Sequence, residues 1–306
     1  MSLLEKCKEF YFKYGENLLI EGFPELYPRI AVGLVGHGSE CFSFDDELSA
    51  DHDYSLGFDI FLTDEDEEKY GFKLERAYAK LIKEKGASIK RSRYGEGERG
   101  VKRISDFYSF YTGVDGAPTT YGEWLSIPDG YLAESINGEV FCDNLGKFTE
   151  IREKIKRGYP EDIRLKKLAS ALFYAGQSGQ YNLKRCLAHG ETAAANLARS
   201  VFTENVAKAV YLINRSFPPY YKWLFKGLSR LKFGGEKTAG LLTKISILPI
   251  TDEKIFLLVE DTAKELISLL KDDGLSERSS DFLVDFSSDV TDFIKNATLR
   301  NMPVML

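Results

Sequence analysis

The spacing of hydrophobic positions divides the chain into a first part of mixed character and a helical remainder. Short apolar runs bounded by glycine or other turn residues predict buried strands at residues 30–35, 58–62 and 138–143. Apolar residues three or four positions apart predict helices over residues 4–18 and 73–85. The first part of the chain therefore has the pattern of a sheet covered by helices.

Two intermediate stretches are assigned from their turn residues. Glycines between two β-prone runs predict a hairpin with a long basic tip over residues 89–111. The glycines and prolines of residues 113–130 predict a loop that leads to the last strand.

From Pro160 onward the periodic segments are helical. Apolar stripes at helical spacing begin at Leu165, Phe202, Ile255 and Leu283. A chain of 306 residues is long for a single hydrophobic core. We therefore predict an α+β protein of two domains, a mixed sheet with helices over residues 1–150 and a helical bundle over residues 151–306.

Composition narrows the class of protein. With 43% hydrophobic and 29% charged residues, the chain resembles an ordinary folded protein. It lacks the run of about 20 apolar residues that a membrane helix needs, and its N-terminus does not resemble a signal peptide. The four cysteines are scattered, without the spacing of a zinc site. These features predict a cytoplasmic protein with reduced thiols and no membrane partner.

The distribution of charge is more informative than the net charge of −6. A negative net charge argues against electrostatic, salt-dependent binding of nucleic acid, so we do not expect a nucleic-acid partner. RNA stays possible only as the acceptor of a transferred group. Between Ile30 and Glu68 there is no Lys or Arg, whereas basic residues cluster at 83–103 and 222–232. This order suits a polyphosphate bound together with cations. Solvated surface charge is the simpler explanation of the same pattern.

The chemically informative motif is Gly-His-Gly-Ser, ending at Ser39, followed after eleven residues by Asp51-His-Asp53. A strand that runs into Gly38 and Ser39 lets backbone amides and the serine hydroxyl approach a phosphate. Two carboxylates at positions i and i+2 of an extended segment face the same way. Asp51 and Asp53 can therefore share Mg²⁺, the hard cation that carboxylates prefer, as in phosphoryl and nucleotidyl transfer.

These residues resemble the signature of the DNA polymerase β type nucleotidyltransferase superfamily, with a spacing somewhat longer than in many small members. More specifically, residues 45–53, 138–143, 159–162 and 222–224 are similar to a bacterial domain family of unknown function, DUF4037, over about residues 30–231. The resemblance implies a nucleotidyltransferase fold followed by a helical domain. It also implies kinship with antibiotic nucleotidyltransferases that act on aminoglycosides and lincosamides. A reaction class follows from it, and a substrate does not.

The related fold implies a third carboxylate on a strand after the helix that follows the aspartate pair. Asp106 is the first acidic residue on a β-prone run beyond that helix, so we predict it as the third metal ligand and general base. Glu139, in the later strand, is the rival, and Glu134 is a further alternative. The simpler explanation is that Asp106 ends a hairpin strand at the surface.

Other candidate residues have weaker support. Lys222, beside Trp223, can act as a point charge for a nucleotide phosphate, or can simply be exposed beside an aromatic core residue. His37 is explained more simply as a turn residue, and His52 should face away from the aspartates and pack. Asp59 lies about 20 Å farther along the strand, too far to share the metal unless the chain bends back.

The residues and the resemblance together predict a Mg²⁺-dependent nucleotidyltransferase. It would move a nucleoside monophosphate from an NTP, with ATP the expected donor, to a hydroxyl of an unidentified small acceptor and release pyrophosphate. One alternative is adenylylation of a protein or RNA by a toxin-like enzyme. Another is a regulatory protein that binds the nucleotide without turnover, although such a protein would not need two converging metal carboxylates.

Overall fold

The computed structural model describes residues 1–45, 56–86 and 99–305. The chain divides into two compact units, Met1–Arg157 and Gly158–Leu306. The domain boundary expected at residue 150 falls inside a helix of the first unit. The predicted metal ligands Asp51 and Asp53 lie outside the described residues.

The first unit opens with one continuous helical segment, as the apolar spacing predicts. It consists of α1 (Leu3–Phe10), a π-helical stretch (Tyr11–Gly15) and α2 (Glu16–Gly22). A capping box begins it, because the Ser2 hydroxyl accepts the amide N–H of Glu5 and the Glu5 carboxylate accepts that of Ser2. Local hydrogen bonds at its start therefore set where this segment begins.

Four strands form one mixed sheet, in the order β3-β2-β1-β4. They are β1 (Ala31–Leu34), β2 (Asp59–Leu62), β3 (Val101–Arg103) and β4 (Glu139–Asp143). Strand β1 is antiparallel to β2 and β4, and β2 is parallel to β3. The C-terminal end of β1 therefore lies beside the N-terminal ends of the other three strands. The strands predicted at 30–35, 58–62 and 138–143 are confirmed.

Helix α3 (Asp64–Glu84) connects β2 to the parallel strand β3, as a parallel pair requires a crossover. It begins earlier than its apolar spacing suggests, because Thr63 caps it and accepts the N–H of Asp66 at 3.2 Å. The acidic residues of its first turn also complement the positive end of the helix dipole. These capping interactions explain why a strongly charged stretch is helical.

The hairpin predicted over residues 89–111 is wrong for the part that the structure describes. Strand β3 pairs in parallel with β2, and α4 (Ile104–Thr112) follows it at once. Phe107, Tyr108 and Tyr111 recur at helical spacing and are buried. Their aromatic character favours a strand locally, but packing of one helix face outweighs that preference.

The loop predicted over residues 113–130 is partly helical. It contains α5 (Tyr121–Ser126) and the start of α6 (Asp129–Ser135). Thr120 and Glu123 form a capping box at the start of α5, which offsets the helix-breaking glycines and prolines nearby. Helix α7 (Lys147–Lys156) then follows β4 and closes the first unit.

Both faces of the sheet are covered. On one face, Val32 and Ile60 belong to a buried cluster with side chains of α1, α2 and α3. On the other face, the ring of Phe61 lies 5.2 Å from that of Phe107 and 4.3 Å from that of Phe148. With both faces occupied by side chains, a ligand is expected to approach the ends of the strands.

The regular elements of the second unit are helices throughout its described residues, as the apolar stripes predict. They are α8 (Glu161–Ala175), a π-helical stretch (Gly176–Asn182), α9 (Leu183–Ala188), α10 (Thr192–Ile213), α11 (Tyr221–Leu228), α12 (Gly235–Ile247), α13 (Lys254–Asp272), α14 (Leu283–Asp292) and α15 (Ala297–Asn301). Helix α8 packs against both α10 and α14. The α+β class is thus confirmed. Among the described helices, none combines the length and apolar character needed to cross a bilayer.

Candidate functional site

The Gly-His-Gly-Ser motif forms a tight turn directly after β1. Gly36 and Gly38 have φ values of +88° and +124°, which disfavour residues with a Cβ atom. A Cβ on Gly36 would also lie 2.7 Å from the hydroxyl of Tyr111. Ser39 follows in ordinary helical geometry and begins a short 3₁₀ turn. The two glycines are therefore needed for the path of the backbone, as the phosphate-binding prediction requires.

Asn137 holds this turn in place. Its side-chain carbonyl accepts the N–H of Gly36 at 2.7 Å, and its amide group donates to the carbonyl of Gly36 at 2.7 Å. The next residue, Gly138, donates its N–H to the carbonyl of Cys41 at 2.7 Å. Both sides of the turn are thus fixed from the same segment just before β4. Sequence reasoning missed Asn137, whose one local signal is the turn-forming Asn-Gly pair.

The turn carries hydrogen-bond donors that are available to a ligand as far as the described part of the chain shows. Within the described residues, the N–H groups of Gly38 and Ser39 and the Ser39 hydroxyl have no hydrogen-bond partner, and Ser39 is half-buried. Successive backbone N–H groups in such a turn form a concave site for an anion. The arrangement can bind phosphate oxygens at the end of β1, which we call the Gly-Ser end of the sheet.

A buried ion network lies at the Gly-Ser end. The Arg99 guanidinium donates to the Glu40 carboxylate at 2.5 Å and to the Asp59 carboxylate at 3.4 Å. Asp59 also lies 2.9 Å from the ammonium of Lys102 and accepts the N–H of Gly100 at 3.3 Å. Glu40 is the residue directly after Ser39, so Arg99 ties the turn to the first residue of β2.

Burial and charge act in opposite directions on Arg99, which is 7% exposed. Burial alone lowers the pKa of its guanidinium, but the negative charge of Asp59, together with that of Glu40, raises the pKa above its usual value. Arg99 therefore stays charged, and the Asp59 carboxylate forms ion pairs with Arg99 and Lys102. Asp59 serves here as a structural anchor, and sequence reasoning did not foresee this pairing.

The cysteines have no catalytic environment in this region. Burial raises the pKa of the Cys41 thiol, which keeps it neutral and weakly reactive. All four cysteines are free, and Cys7 and Cys41 are buried. Their arrangement is consistent with the predicted structural thiols.

His37 is half-exposed at the tip of the turn. Its Nδ1 atom lies 3.9 Å from Oε2 of Glu134, whose side chain is largely buried on α6. This distance allows an ion pair only when the imidazole is protonated. The placement agrees with the prediction that His37 is a turn residue, and it brings Glu134 to the same turn.

Asp106 does not lie on a strand, contrary to our prediction. It is exposed in the first turn of α4, after the C-terminal end of β3. Because β3 is parallel to β2 and β2 is antiparallel to β1, this is the end of the sheet away from Gly38 and Ser39. Strand order, which the residues around Asp106 do not encode, explains the error.

Glu139, the rival to Asp106, lies at the Gly-Ser end. It is the first residue of β4 and pairs with Leu34, the last residue of β1. Its side chain is about two-fifths exposed, and Oε1 accepts from the Lys8 ammonium at 2.5 Å. Among the described residues, Oε2 of Glu139 accepts no hydrogen bond. Glu139 therefore offers a carboxylate oxygen close to the turn.

Lys222 belongs to the second unit, on α11. Its ammonium lies 4.8 Å from the ring centre of Trp223, a cation–π contact, and its side chain is exposed. The predicted contact of Lys222 with a nucleotide stays a prediction.

Comparison with known protein families matches part of the chain. A family model described as a domain of unknown function (DUF4037) matches residues 124–224. No curated protein and no solved structure matches the chain. The matched range includes Glu134, Asn137, Glu139 and Lys222. It covers the last part of the first unit and the first part of the second, and neither unit is matched completely. The chain is thus similar to this family over those residues, and the description carries no activity.

Proposed function

We propose that this chain is a Mg²⁺-dependent nucleotidyltransferase. It moves a nucleoside monophosphate from an NTP, with ATP the expected donor, to a hydroxyl of a small acceptor, and pyrophosphate leaves. The observation that carries the proposal is the turn at Gly38 and Ser39 at the end of a buried strand, where the amide and hydroxyl donors have no hydrogen-bond partner among the described residues. Such donors suit the oxygens of a polyphosphate.

The metal ion is assigned to Asp51 and Asp53. Within the described residues, no group of three or more His, Cys, Asp or Glu side chains is arranged to hold a metal ion. Glu40 and Asp59, two buried carboxylates at the Gly-Ser end, are paired with Arg99. Two carboxylates are a donor set that suits Mg²⁺, which when bound there would neutralise phosphate charge.

The residues on either side of segment 46–55 support this assignment. Before the segment, Phe44 donates its N–H to the carbonyl of Ser39 at 2.9 Å. After it, Leu56 packs against the buried cluster that contains Leu34 and Cys41. The described chain thus enters and leaves this segment at the Gly-Ser end of the sheet.

The chain's own residues have separate tasks in this proposal. The turn amides and the Ser39 hydroxyl bind and orient the phosphates of the NTP. Asn137 and the Arg99 network keep those donors in position before the substrate arrives. Glu139 takes the proton from the acceptor hydroxyl as it attacks, since its Oε2 atom accepts no hydrogen bond from the described residues and Glu139 lies at the same end of the sheet.

Replacing Ser39 with alanine is expected to weaken binding of the Mg²⁺–ATP complex about tenfold. The variant loses a hydrogen bond to a charged oxygen, and a tenfold change corresponds to about 1.4 kcal/mol. Calorimetric titration of the full chain with ATP and Mg²⁺ measures the affinity. Ser126→Ala, which removes an exposed hydroxyl at the end of α5, is the matched control. Unchanged affinity in Ser39→Ala, or equal binding in EDTA, would move the nucleotide to another pocket.

Replacing Glu139 with glutamine is expected to lower turnover by about 10² or more, while ATP binding is retained. Asp106→Asn should leave turnover nearly unchanged, because Asp106 lies at the other end of the sheet. Lys8→Met is the matched control for Glu139, since it removes the ion pair and keeps the carboxylate. Pyrophosphate release during incubation with each NTP and a pool of small hydroxylated compounds reports turnover. An active Glu139→Gln protein would exclude Glu139 as the base.

A further inference from the structure

The exposed side of α11 combines aromatic rings with basic groups. Tyr221 is 68% exposed and Phe233, just beyond the helix, is 53% exposed. Phe225 and Lys222 are also exposed, whereas Leu224, on the opposite side of the helix, is buried. Phe225 is a surface neighbour of both Tyr221 and Lys222, because it follows them by four and three residues on the helix. We call the exposed Tyr221, Lys222 and Phe225 of α11, with the exposed Lys232 and Phe233 of the segment that follows it, the aromatic-basic surface.

The stretch of sequence that contains the aromatic-basic surface is basic despite the negative net charge of the chain. Residues 205–235 contain no Asp or Glu. Among its basic residues, Lys208 pairs with Glu204 and Arg215 pairs with Asp273, and Lys222, Lys226, Arg230 and Lys232 lie on α11 or just after it. Because charges beyond about 8–10 Å are screened at physiological salt, a ligand on this surface responds to the local charge and not to the net charge. A negatively charged ligand fits it.

Aromatic and basic residues alternate along residues 220–233. The rings of Tyr220 and Tyr221 have centroids 4.2 Å apart, and the Lys232 ammonium lies 5.0 Å from the ring centre of Phe233. A helix that lies in a membrane separates its apolar and charged faces. Here the apolar face is already buried in the second unit, so the exposed rings stand among lysines.

We propose that the aromatic-basic surface binds single-stranded RNA. Unpaired bases can stack on the exposed rings while Lys222 and Lys232 contact the phosphates, which is how single-stranded nucleic acid is held. Duplexes do not fit, because their bases are already stacked. RNA is favoured over DNA because its 2′-hydroxyl can exchange hydrogen bonds with the exposed phenol of Tyr221. The proposal does not depend on the proposed transfer reaction. It assigns an RNA phosphate to Lys222, in place of the phosphate of the NTP predicted from the sequence.

Binding of a fluorescently labelled, unstructured uridine-rich RNA to the full chain tests this proposal. Fluorescence anisotropy in EDTA should show binding that weakens as salt rises, since no metal is required. The pair Tyr221→Ala and Phe225→Ala should weaken binding about tenfold or more. The pair Lys222→Gln and Lys232→Gln should lower the slope of log affinity against log salt by about one to two. Leu257→Ala and Lys271→Gln on α13 are matched exposed controls.

Several outcomes would overturn the proposal. They are absence of RNA binding by the unaltered chain, and unchanged affinity in both variant pairs. Equal affinity for DNA of the same sequence, for duplex RNA or for anionic lipid vesicles would overturn the assignment to single-stranded RNA. Thermal melts of each variant exclude a folding defect, which is not expected because the replaced side chains are exposed. Since the assay omits Mg²⁺ and NTP, its result is separate from that of the transfer reaction.

Discussion

Replacing Asp51 or Asp53 with asparagine is expected to abolish nucleotidyl transfer and leave the fold intact. Each change removes a negative charge from the proposed metal site and hardly alters side-chain volume. The metal supplies several kcal/mol of transition-state stabilisation, and each 1.36 kcal/mol is tenfold in rate, so the expected loss is at least about 10³-fold. Pyrophosphate release with ATP and Mg²⁺ measures the loss, and thermal melts check the fold.

The control for the aspartate variants is Glu68→Gln. Glu68 belongs to the same acidic stretch of sequence and is exposed on α3, so its loss changes net charge equally without touching the proposed site. Its turnover should match that of the unaltered chain. Mg²⁺-dependent turnover that survives in both aspartate variants would refute their assignment as metal ligands. ATP binding that persists in a chain with no turnover under any condition would instead favour a regulatory nucleotide-binding protein.

Replacing Arg99 with methionine is expected to destabilise the first unit by about 3–5 kcal/mol, the usual cost of leaving a buried charge without its partner. Glu40 would then lose its buried cation, and Asp59 would keep only the ammonium of Lys102 and the N–H of Gly100. Denaturant unfolding followed by tryptophan fluorescence measures the loss, since Trp124 is buried in the first unit.

Arg103→Met is the matched control for Arg99. Arg103 pairs with Glu67 at the surface, where both side chains are about one-third exposed. An ion pair in that setting contributes little to stability, because solvent screens it. Equal destabilisation by the two changes would contradict the special role of the buried network. A second readout concerns the turn: because Glu40 follows Ser39 directly, Arg99→Met protein that still folds should also bind ATP more weakly.

Local patterns along the chain were sufficient for much of the fold. Short apolar runs ended by glycine identify β1, β2 and β4, and helical spacing identifies the opening helix and the second unit. These elements follow from the sequence because each buries a face whose period is visible in neighbouring residues. The Gly-Ser turn is equally local, since two glycines permit a backbone path that other residues resist.

Only the tertiary structure decided which residues meet at the Gly-Ser end. Strand order places Glu139 beside β1 and Asp106 at the opposite end, although both carboxylates occur next to apolar runs. The contacts of Arg99 with Glu40 and of Asn137 with Gly36 join residues 59 and 101 positions apart. Such contacts depend on how the elements pack. A local sequence pattern does not identify a partner so many positions away in the sequence.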